Sequence, residues 1–445
     1  MISESKKAKA WLVTVNMGYG HMRAAAPLRD LVDSHYIIAN DYPGIPESDK
    51  KLWQQSRKFY EAISRIEQVP IIGKPIFSIL DNWQEIPSFY PRRDLSEATF
   101  QLKQHYKLFE KGLARHLIQH MRKDNLPLVT TFFLPALAAE FYGYPNDIYC
   151  VICDTDISRI WVPLEPKKTR IKYFAPCRRV VERLKLYGVP AKNIFLTGFP
   201  LPKENVGGLR HAALKADLAA RLVNLDPTGI YSRHFGHTLR DLLGKENYPT
   251  KATHPLTLTF AVGGAGAQRQ MVGDILQSLK VQIREKALRL NLVAGSRPDV
   301  LTHFRRTVRR FGMENYLDGR LNIIYASDRN EYFKKFNAAL RTTDMLWTKP
   351  SELSFYSALG LPIIIAPPIG SQEEFNESWL RSLGSGIPQN DPAAADQWLF
   401  DWLRSGWLAR AAVAGFVGAV KRGTYRIEEI VAHKKRKLPE PIEPV

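Results

Sequence analysis

The chain has 445 residues, of which 45% are hydrophobic, and it carries a formal net charge of +19 at pH 7. This length and composition allow two or three globular domains with cores of their own and exclude a small fold that depends on disulfides. The charge favours anionic partners, namely nucleic acid, an anionic membrane or phosphorylated ligands, without choosing among them. The three cysteines indicate a reducing compartment, and the pair Cys150 and Cys153 lies in an apolar run, which is not typical of a zinc site.

Neither a secretion signal nor a membrane span is visible in the sequence. The first ten residues are polar, and the apolar run behind them is too short for the hydrophobic part of a signal peptide. No apolar stretch reaches the roughly 20 residues that a helix needs to cross a bilayer. We therefore expect a cytoplasmic protein.

Short apolar runs alternate with helical segments along most of the chain. Within each run, apolar and polar residues do not alternate, and Val, Ile and Leu are frequent. This composition is typical of strands buried on both faces of a parallel sheet. The predicted strands are 11–15, 36–39, 128–133, 148–153 and 194–197, followed by 256–262, 290–294, 322–325, 345–347 and 362–366. This order predicts βαβ units, and hence two doubly wound, Rossmann-like α/β domains that bind ligands beyond the carboxyl ends of their strands.

The two series of strands define the predicted domains, residues 1–202 and 254–420. Residues 203–253 hold one helix-like piece and no strong strand, and we interpret them as an interdomain connection with an inserted hairpin or arm. Residues 421–445 are predicted to form a helix with a basic, proline-rich tail. Residues 50–122 interrupt the alternation with two helical stretches and an apolar, aromatic segment between them, which prolines prevent from forming one long helix.

The first candidate site is a loop between a strand and a helix, with the sequence N-M-G-Y-G-H-M-R-A-A. Gly18 and Gly20 allow a ligand to approach the backbone closely. His21 lies at the start of the helix, where a neutral imidazole can act as a base or as a hydrogen-bond donor. The alternative is a tight turn with a histidine that caps the helix. The spacing differs from the G-x-G-x-x-G of a dinucleotide site.

The second candidate loop, A-V-G-G-A-G-A-Q-R, also joins a strand to a helix. Gly263, Gly264 and Gly266 can form a turn whose backbone N–H groups bind a phosphate at the positive end of a helix. Gln268 and Arg269 offer further donors. The loop lacks the G-K-[ST] of a nucleoside-triphosphate site.

The third candidate region is polar and lies on either side of a predicted strand. The Ser351 hydroxyl suits a phosphate, and Glu352, near a helix start, suits a sugar diol. Gln372, Glu373 and Asn376 offer the amide and carboxylate groups that bind sugar hydroxyls. Each of these residue types is also ordinary as a helix cap.

The third region resembles the nucleotide-sugar half of GT-B glycosyltransferases through T-K-P, G-L-P-I-I and P-P-I-G-S-Q-E-E-F-N. More closely, it is similar to the family 28-like group of monogalactosyldiacylglycerol synthase, diglucosyl diacylglycerol synthase and the N-acetylglucosaminyltransferase that makes lipid II. The two glycine loops, C-D-T-D-I-S-R-I-W at 153–161, and the stretch 184–200 ending in T-G-F-P resemble this group in the same order. The resemblance covers about residues 10–202 and 255–385.

The resemblance implies a GT-B fold, with its two domains facing across a cleft. It also implies an inverting transfer of a hexose from a nucleotide sugar, expected to be UDP-linked, to the hydroxyl of a lipid such as diacylglycerol. It implies no metal and no other cofactor, because the glycine loop and helix dipole stabilise the leaving diphosphate. The expected partners are the donor, the lipid acceptor and an anionic membrane surface, with no nucleic acid. Two alternatives stay open: a glycosyltransferase with a soluble acceptor, and a non-catalytic relative that binds nucleotide sugar or lipid.

The resemblance also assigns roles to residues. His21 would lie beside the acceptor hydroxyl, with Asp154 as a second candidate base. The turn near Tyr325 would hold the nucleobase through its backbone. The three glycines of the second loop would face the donor diphosphate, and Gln372, Glu373 and Asn376 would bind the donor sugar and phosphate.

The chain departs from the group at two positions. Ser158 occupies the position of the group's histidine in the T-D motif. Phe355 falls near the glutamate that grips the ribose, and Glu352 in the K-P-S-E turn is the candidate substitute.

Residues 50–122 correspond to the part of the first domain that meets the membrane in the lipid-acceptor enzymes. Aromatic side chains mixed with basic ones suit binding at the surface of an anionic leaflet. The alternative is that most of these side chains pack within their own domain. We expect a peripheral association of the cytoplasmic protein with the membrane. The aromatic and aliphatic candidates are Trp53, Phe59, Tyr60, Ile71, Ile72, Ile76, Phe77, Trp83, Phe89 and Tyr90.

Overall fold

The computed structural model describes residues 9–33, 35–66, 86–248, 250–263, 266, 268–368 and 370–433, with the backbone alone at 57–66 and 371. The chain forms two compact units. The first comprises Met1–Pro200, Ile369–Phe375 and Arg422–Val445, and the second comprises Leu201–Pro368 and Asn376–Lys421.

The first unit is built on a parallel six-stranded sheet in the order β2-β1-β3-β4-β5-β6. Its strands are β1 (Trp11–Thr14), β2 (Ile37–Ile38), β3 (Leu128–Thr130), β4 (Ile148–Val151), β5 (Ile171–Ala175) and β6 (Ile194–Leu196). Because β1 has β2 on one side and β3 on the other, the strand order reverses there, and ligands bind at such a switch point in doubly wound sheets.

Helices cover this sheet and complete its core. They are α1 (Gly20–Ala25), α2 (Glu47–Ile66), α3 (Phe100–Glu110), α4 (Arg115–Met121), α5 (Phe133–Phe141) and α6 (Arg178–Leu186), with 3₁₀ turns at Ala26–Leu31, Arg159–Trp161, Pro166–Lys168 and Ala191–Asn193. Strand residues such as Leu12 and Val129 are buried against Leu28 and Leu31. The unbroken apolar runs of the strands are thus explained by burial on both faces.

The second unit also contains a parallel six-stranded sheet, in the order β12-β11-β10-β7-β8-β9. Its strands are β7 (Thr257–Ala261), β8 (Arg289–Gly295), β9 (Leu321–Tyr325), β10 (Met345–Thr348), β11 (Ile363–Ile365) and β12 (Gly386–Pro388). The order reverses at β7, between β10 and β8. The carboxyl end of β7 therefore marks the switch point of this sheet.

The helices of the second unit are α7 (Lys203–Val206), α8 (Ala212–Leu225), α9 (Ile230–Leu243), α10 (Val272–Arg284), α11 (Pro298–Arg310), α12 (Arg329–Leu340), α13 (Ser371–Leu383), α14 (Ala395–Arg404) and α15 (Trp407–Gly418). The first five residues of α13 group with the first unit. The 3₁₀ segments are Lys245–Asn247, Arg269–Met271, Glu314–Tyr316, Glu352–Leu359 and Pro392–Ala394.

Helix α16 (Gly423–Val431) packs on the first unit. Its Ile427 and Val431 are buried in the same core as β1 and β3. A methyl group at Gly423 would lie 2.1 Å from the carbonyl oxygen of Phe199, so the absence of a side chain there permits this contact.

The predicted α/β architecture of two doubly wound, Rossmann-like units is confirmed. All ten predicted strands are present, whereas β5 and β12 were not predicted. The stretch 203–253, interpreted from the sequence as a connection with an arm, forms α7, α8 and α9 within the second unit instead. Buried Leu214, Leu218 and Leu222 on α8 explain why this segment packs as part of the unit.

Much of the predicted membrane-facing segment lies outside the described residues, including everything from 67 to 85. Of the aromatic candidates that are described, Trp53 and Phe89 are each only 4% exposed, whereas Tyr90 is 65% exposed. Two of these side chains therefore pack within the first unit. Within the described ranges, no helix combines the length and the apolar character needed to cross a membrane.

Candidate functional site

His21 is held in one tautomer by the backbone of the neighbouring strand. Its Nδ1 lies 2.8 Å from the carbonyl oxygen of Thr131. Because a carbonyl can only accept, Nδ1 carries the hydrogen, and in the neutral ring the lone pair lies on Nε2. The half-buried ring lies 4.8 Å from the ring of Phe132 and 6.3 Å from that of Trp161.

The carbonyl of Thr131 is itself fixed where β3 ends beside β1. The Thr131 N–H donates to Val13 over 3.1 Å, and its hydroxyl donates to the Thr14 hydroxyl over 2.9 Å. The thiol of Cys153, just beyond β4, donates to the same Thr131 carbonyl over 3.6 Å. The carboxyl ends of β1, β3 and β4 thus converge on the group that orients His21.

Asp154 follows β4 at this edge of the sheet and is half-buried. The other carboxylate of the motif, Asp156, is fully buried and binds Arg183 through Nε at 2.8 Å and Arg179 through Nε at 2.7 Å. A buried carboxylate held by two guanidinium groups is a structural ion pair. Asp156 therefore serves the fold, and Asp154 is the more exposed of the two carboxylates.

Arg159 fixes the remainder of the loop that carries Trp161. Its guanidinium donates to the carbonyls of Ser96 at 2.7 Å, Val162 at 2.6 Å and Pro163 at 2.9 Å. Burial lowers the pKa of Arg159. Trp161, which packs 5.4 Å from Phe133 by ring centroids, is thereby held beside His21.

The glycine loop of the second unit forms a tight turn at the carboxyl end of β7. The Gly266 N–H donates to the Gly263 carbonyl over 2.7 Å, and Gly266 has a φ of +72°, which favours glycine. Gly264 lies outside the described residues. Gln268 donates through Nε2 to the Pro367 carbonyl over 2.7 Å, and Arg269 pairs with Asp299. These two predicted donors therefore brace the loop.

The K-P-S-E turn leads into the 3₁₀ helix Glu352–Leu359, so Glu352 does lie at a helix start, as the sequence predicted. Ser351 and Glu352 are both half-buried. Phe355, near the position of the group's ribose-binding glutamate, is buried and packs 5.1 Å from the ring of Trp379. Glu352 thus offers a partly exposed carboxylate, whereas Phe355 offers only a buried apolar ring.

The three residues expected to bind the donor sugar are in different surroundings. Gln372 and Glu373 are half-buried in the first turn of α13 and group with the first unit. Asn376 is fully buried in the second unit, and its Nδ2 donates to the Pro350 carbonyl over 3.2 Å. Because burial directs this amide to the backbone, Asn376 supports the K-P-S-E turn, which differs from the ligand role that the resemblance implies.

Tyr325 ends β9, on the far side of β8 from the glycine turn. Its carbonyl accepts a hydrogen bond from Lys335 Nζ over 3.3 Å, and the next N–H, of Ala326, donates to the Gly295 carbonyl over 3.1 Å. The backbone at this turn is thus already engaged in internal hydrogen bonds.

Three residues of the candidate regions were not singled out from the sequence: Thr131 and Trp161 in the first unit, and Lys349 in the second. A methyl group at Gly263 would lie 2.5 Å from Cε of Lys349, so the lysine side chain lies directly across the glycine turn. The quoted motifs contain Trp161 and Lys349, but only the fold reveals what they contact.

No family model and no curated protein matches the chain. Among solved structures, it is similar to S. aureus MnaA in complex with UDP, at 12% identity over 96% of each chain with a TM-score of 0.46. It is also similar to MurG of Acinetobacter baumannii, at 12% identity over 96% of this chain and 99% of that one, with a TM-score of 0.45. A third structure is the UDP-GlcNAc 2-epimerase of Neisseria meningitidis bound to UDP-GlcNAc, at 10% identity over 96% and 100% of the two chains, with a TM-score of 0.44.

Proposed function

We propose that the protein is an inverting, metal-independent glycosyltransferase that moves a hexose from a UDP-sugar to the hydroxyl of a lipid such as diacylglycerol at a membrane surface. The observation that carries this proposal is the Nδ1 contact of His21 with the Thr131 carbonyl, which leaves the lone pair on Nε2. This base stands at the switch point of a doubly wound sheet, where such folds bind their ligands.

The chemistry is a direct displacement at the anomeric carbon. The acceptor hydroxyl oxygen forms a bond to C1 of the sugar and gives its proton to His21 Nε2. The bond between C1 and the phosphate oxygen breaks, and its electron pair stays on the departing nucleoside diphosphate. The imidazolium that forms keeps its Nδ1 hydrogen bond to Thr131, whose carbonyl favours the positive charge.

The second unit supports the donor half of the proposal. Its turn at Gly263 and Gly266 follows β7 at the switch point and precedes α10, which is the arrangement that binds phosphate through backbone N–H groups. The motifs that follow, from T-K-P to Q-E-E-F-N, resemble the nucleotide-sugar half of the same group of enzymes.

The aromatic surroundings of His21 support an apolar acceptor. Phe132 and Trp161 flank the imidazole. The ring centroid of Phe133 lies 4.4 Å from that of Phe132 and 5.4 Å from that of Trp161. Tyr90, which is exposed with Arg92 5.9 Å from its ring, has the character of an interfacial residue.

The test is the release of UDP from UDP-glucose or UDP-galactose in detergent micelles that contain diacylglycerol. His21→Ala should lower turnover by about 100-fold or more while the donor still binds. His234→Ala, at an exposed position of α9, is the matched control. Unchanged turnover in His21→Ala would reject the base. Lipid-independent transfer would indicate a soluble acceptor, and donor binding without transfer would indicate a non-catalytic protein.

A further inference from the structure

A cavity of about 340 Å³ lies on the first unit, between α4 and the segment that follows α5. It is lined by Arg115, Ile118, Gln119, Arg122 and Tyr142. The first four are spaced as i, i+3, i+4 and i+7, so their side chains lie on one face of a helical stretch. Ile118 is buried, whereas both arginines and the glutamine are exposed. The cavity therefore combines an apolar wall with a polar rim that carries two positive charges.

Tyr142 holds both arginines in place. The guanidinium carbon of Arg115 lies 5.5 Å from the centre of the Tyr142 ring. Arg122 donates through Nη2 to the Tyr142 carbonyl and, over 2.9 Å, to the Gly143 carbonyl. The Tyr142 hydroxyl donates to the Leu113 carbonyl over 3.0 Å, which anchors the ring itself. Two arginines positioned in this way lose less freedom on binding an anion than two mobile side chains would.

The contacts that hold the two arginines do not neutralise them. An aromatic ring and backbone carbonyls are neutral partners, unlike the carboxylate of Asp156 that binds Arg179 and Arg183 in the same unit. The surrounding chain is also basic, because residues 103–124 contain six lysines and arginines and only two acids. The electrostatic field at this cavity thus favours an anion.

The donors around the cavity suit a phosphate group in particular. A guanidinium group can bind two phosphate oxygens at once, and the Gln119 amide offers a further N–H donor. Small-molecule pockets have volumes of about 300–1,000 Å³. A cavity of about 340 Å³ is at the low end of this range, so it suits a compact ligand.

The cavity lies away from the candidate site at His21. Its walls precede strands, because α4 leads into β3 and Tyr142 leads into β4. His21 and Thr131 instead follow β1 and β3. In a parallel sheet, the segments that enter strands and those that leave them lie at opposite edges, and the usual ligand site is at the carboxyl edge.

We propose that this cavity is a second binding site of the first unit, which takes the phosphate group of a phosphate monoester. Arg115 and Arg122 bind the phosphate oxygens, Gln119 donates a further hydrogen bond, and the organic part of the ligand lies against Ile118. The monoester is either a free small molecule or the headgroup of a lipid, since both present the same dianion.

Calorimetric titration with glycerol 3-phosphate at constant ionic strength tests the site. Arg115→Gln should weaken binding by about 5- to 20-fold, because it removes a charged hydrogen-bond donor. Gln119→Glu should weaken it at least as much, because it places a negative charge in the cavity and leaves the contacts of Tyr142 intact. Lys123→Gln is the matched control, since it changes the net charge by the same amount at an exposed neighbour that does not line the cavity.

Vesicles of phosphatidylcholine, with and without phosphatidic acid, distinguish the two sources of the phosphate. A headgroup site predicts that Gln119→Glu reduces binding to the phosphatidic acid vesicles several-fold more than Lys123→Gln does. A site for a free molecule predicts that glycerol 3-phosphate binds in the wild type, and that both variants bind the vesicles alike.

Three results would overturn the proposal. The first is a wild type that binds neither glycerol 3-phosphate nor the phosphatidic acid vesicles. The second is equal affinity for glycerol 3-phosphate and for the vesicles in the wild type, Arg115→Gln and Gln119→Glu, which would place the phosphate elsewhere. The third is an equal loss of UDP affinity in Gln119→Glu, because the cavity would then not be a separate site. Loss of the proposed transferase activity in His21→Ala, or its absence in the wild type, leaves these binding results unaffected.

Discussion

Arg221 offers the sharpest test of how the second unit holds the 3₁₀ helix Glu352–Leu359 in place. This residue of α8 is 1% exposed, and its guanidinium donates to four backbone carbonyls. Two of these bonds are short, 2.7 Å to Thr343 and 2.8 Å to Leu359. The others reach Gly360 and Leu340, so one side chain ties β10, α12 and the end of the 3₁₀ helix together.

We expect Arg221→Met to destabilise the second unit by about 2–4 kcal/mol. The two short bonds are worth about 1.5–3 kcal/mol each, or about 3–6 kcal/mol together, since the donor is charged. Methionine offsets part of this loss because it removes the cost of burying a charge, a cost that also lowers the pKa of Arg221. Urea unfolding followed by circular dichroism measures the difference.

Arg210→Met is the control, because Arg210 is exposed on the segment just before α8. It should leave the free energy of unfolding within about 0.5 kcal/mol of the wild type. A loss below about 1 kcal/mol in Arg221→Met would refute the reasoning, since it would mean that the four carbonyls find other partners at little cost.

Glu352→Gln should weaken UDP-sugar binding by roughly 5- to 20-fold if Glu352 grips the ribose, because an amide is a weaker acceptor than a carboxylate; calorimetry giving an unchanged Kd would discard that role. The hydrogen bond from Arg297 is the main cause that lowers the pKa of Asp299. The ion pairs of Asp299 therefore stabilise the fold fully at neutral pH, and this stabilisation is lost as the pH falls through the lowered pKa. The difference in urea midpoint between the wild type and Asp299→Asn should therefore shrink as the pH is lowered from about 7 to about 2, and a difference that stays constant would contradict this. In a flotation gradient, liposomes with anionic lipid should bind the protein at low salt and release it at about 0.5 M salt. Protein that stays in the bottom fraction of the gradient at low salt would exclude membrane binding.

The pattern of apolar runs was sufficient to predict the architecture, and its failures have local causes. β5 has the sequence I-K-Y-F-A, in which Lys172 interrupts the apolar run, although the strand is otherwise buried. β12 is the three residues Gly386–Pro388, and glycine and proline are both unfavourable in strands. Neighbouring strands supply the stabilisation that these short sequences lack.

The sequence was sufficient to predict which residue types form the candidate site and where they lie along the chain. It was less informative about the role of each residue. The strand ends that carry His21 and Asp154 were identified because parallel sheets place loops at their carboxyl edge. Asn376 has the chemistry of a sugar ligand, but its burial against Pro350, 26 residues away in sequence, was not visible. The contact of Lys349 with Gly263 is likewise long-range, and sequence spacing carries no sign of it. The donor and acceptor roles of these residues stay predictions.

The position of α16 has a consequence for how the chain folds during synthesis. The first unit takes Ile427 and Val431 into the same core as Leu12, which lies more than 400 residues earlier in the sequence. This core is therefore incomplete until residues 427–431 have left the ribosome, even though domains generally fold in order from the N-terminus. A protein truncated before Arg422 would expose the apolar surface that α16 covers.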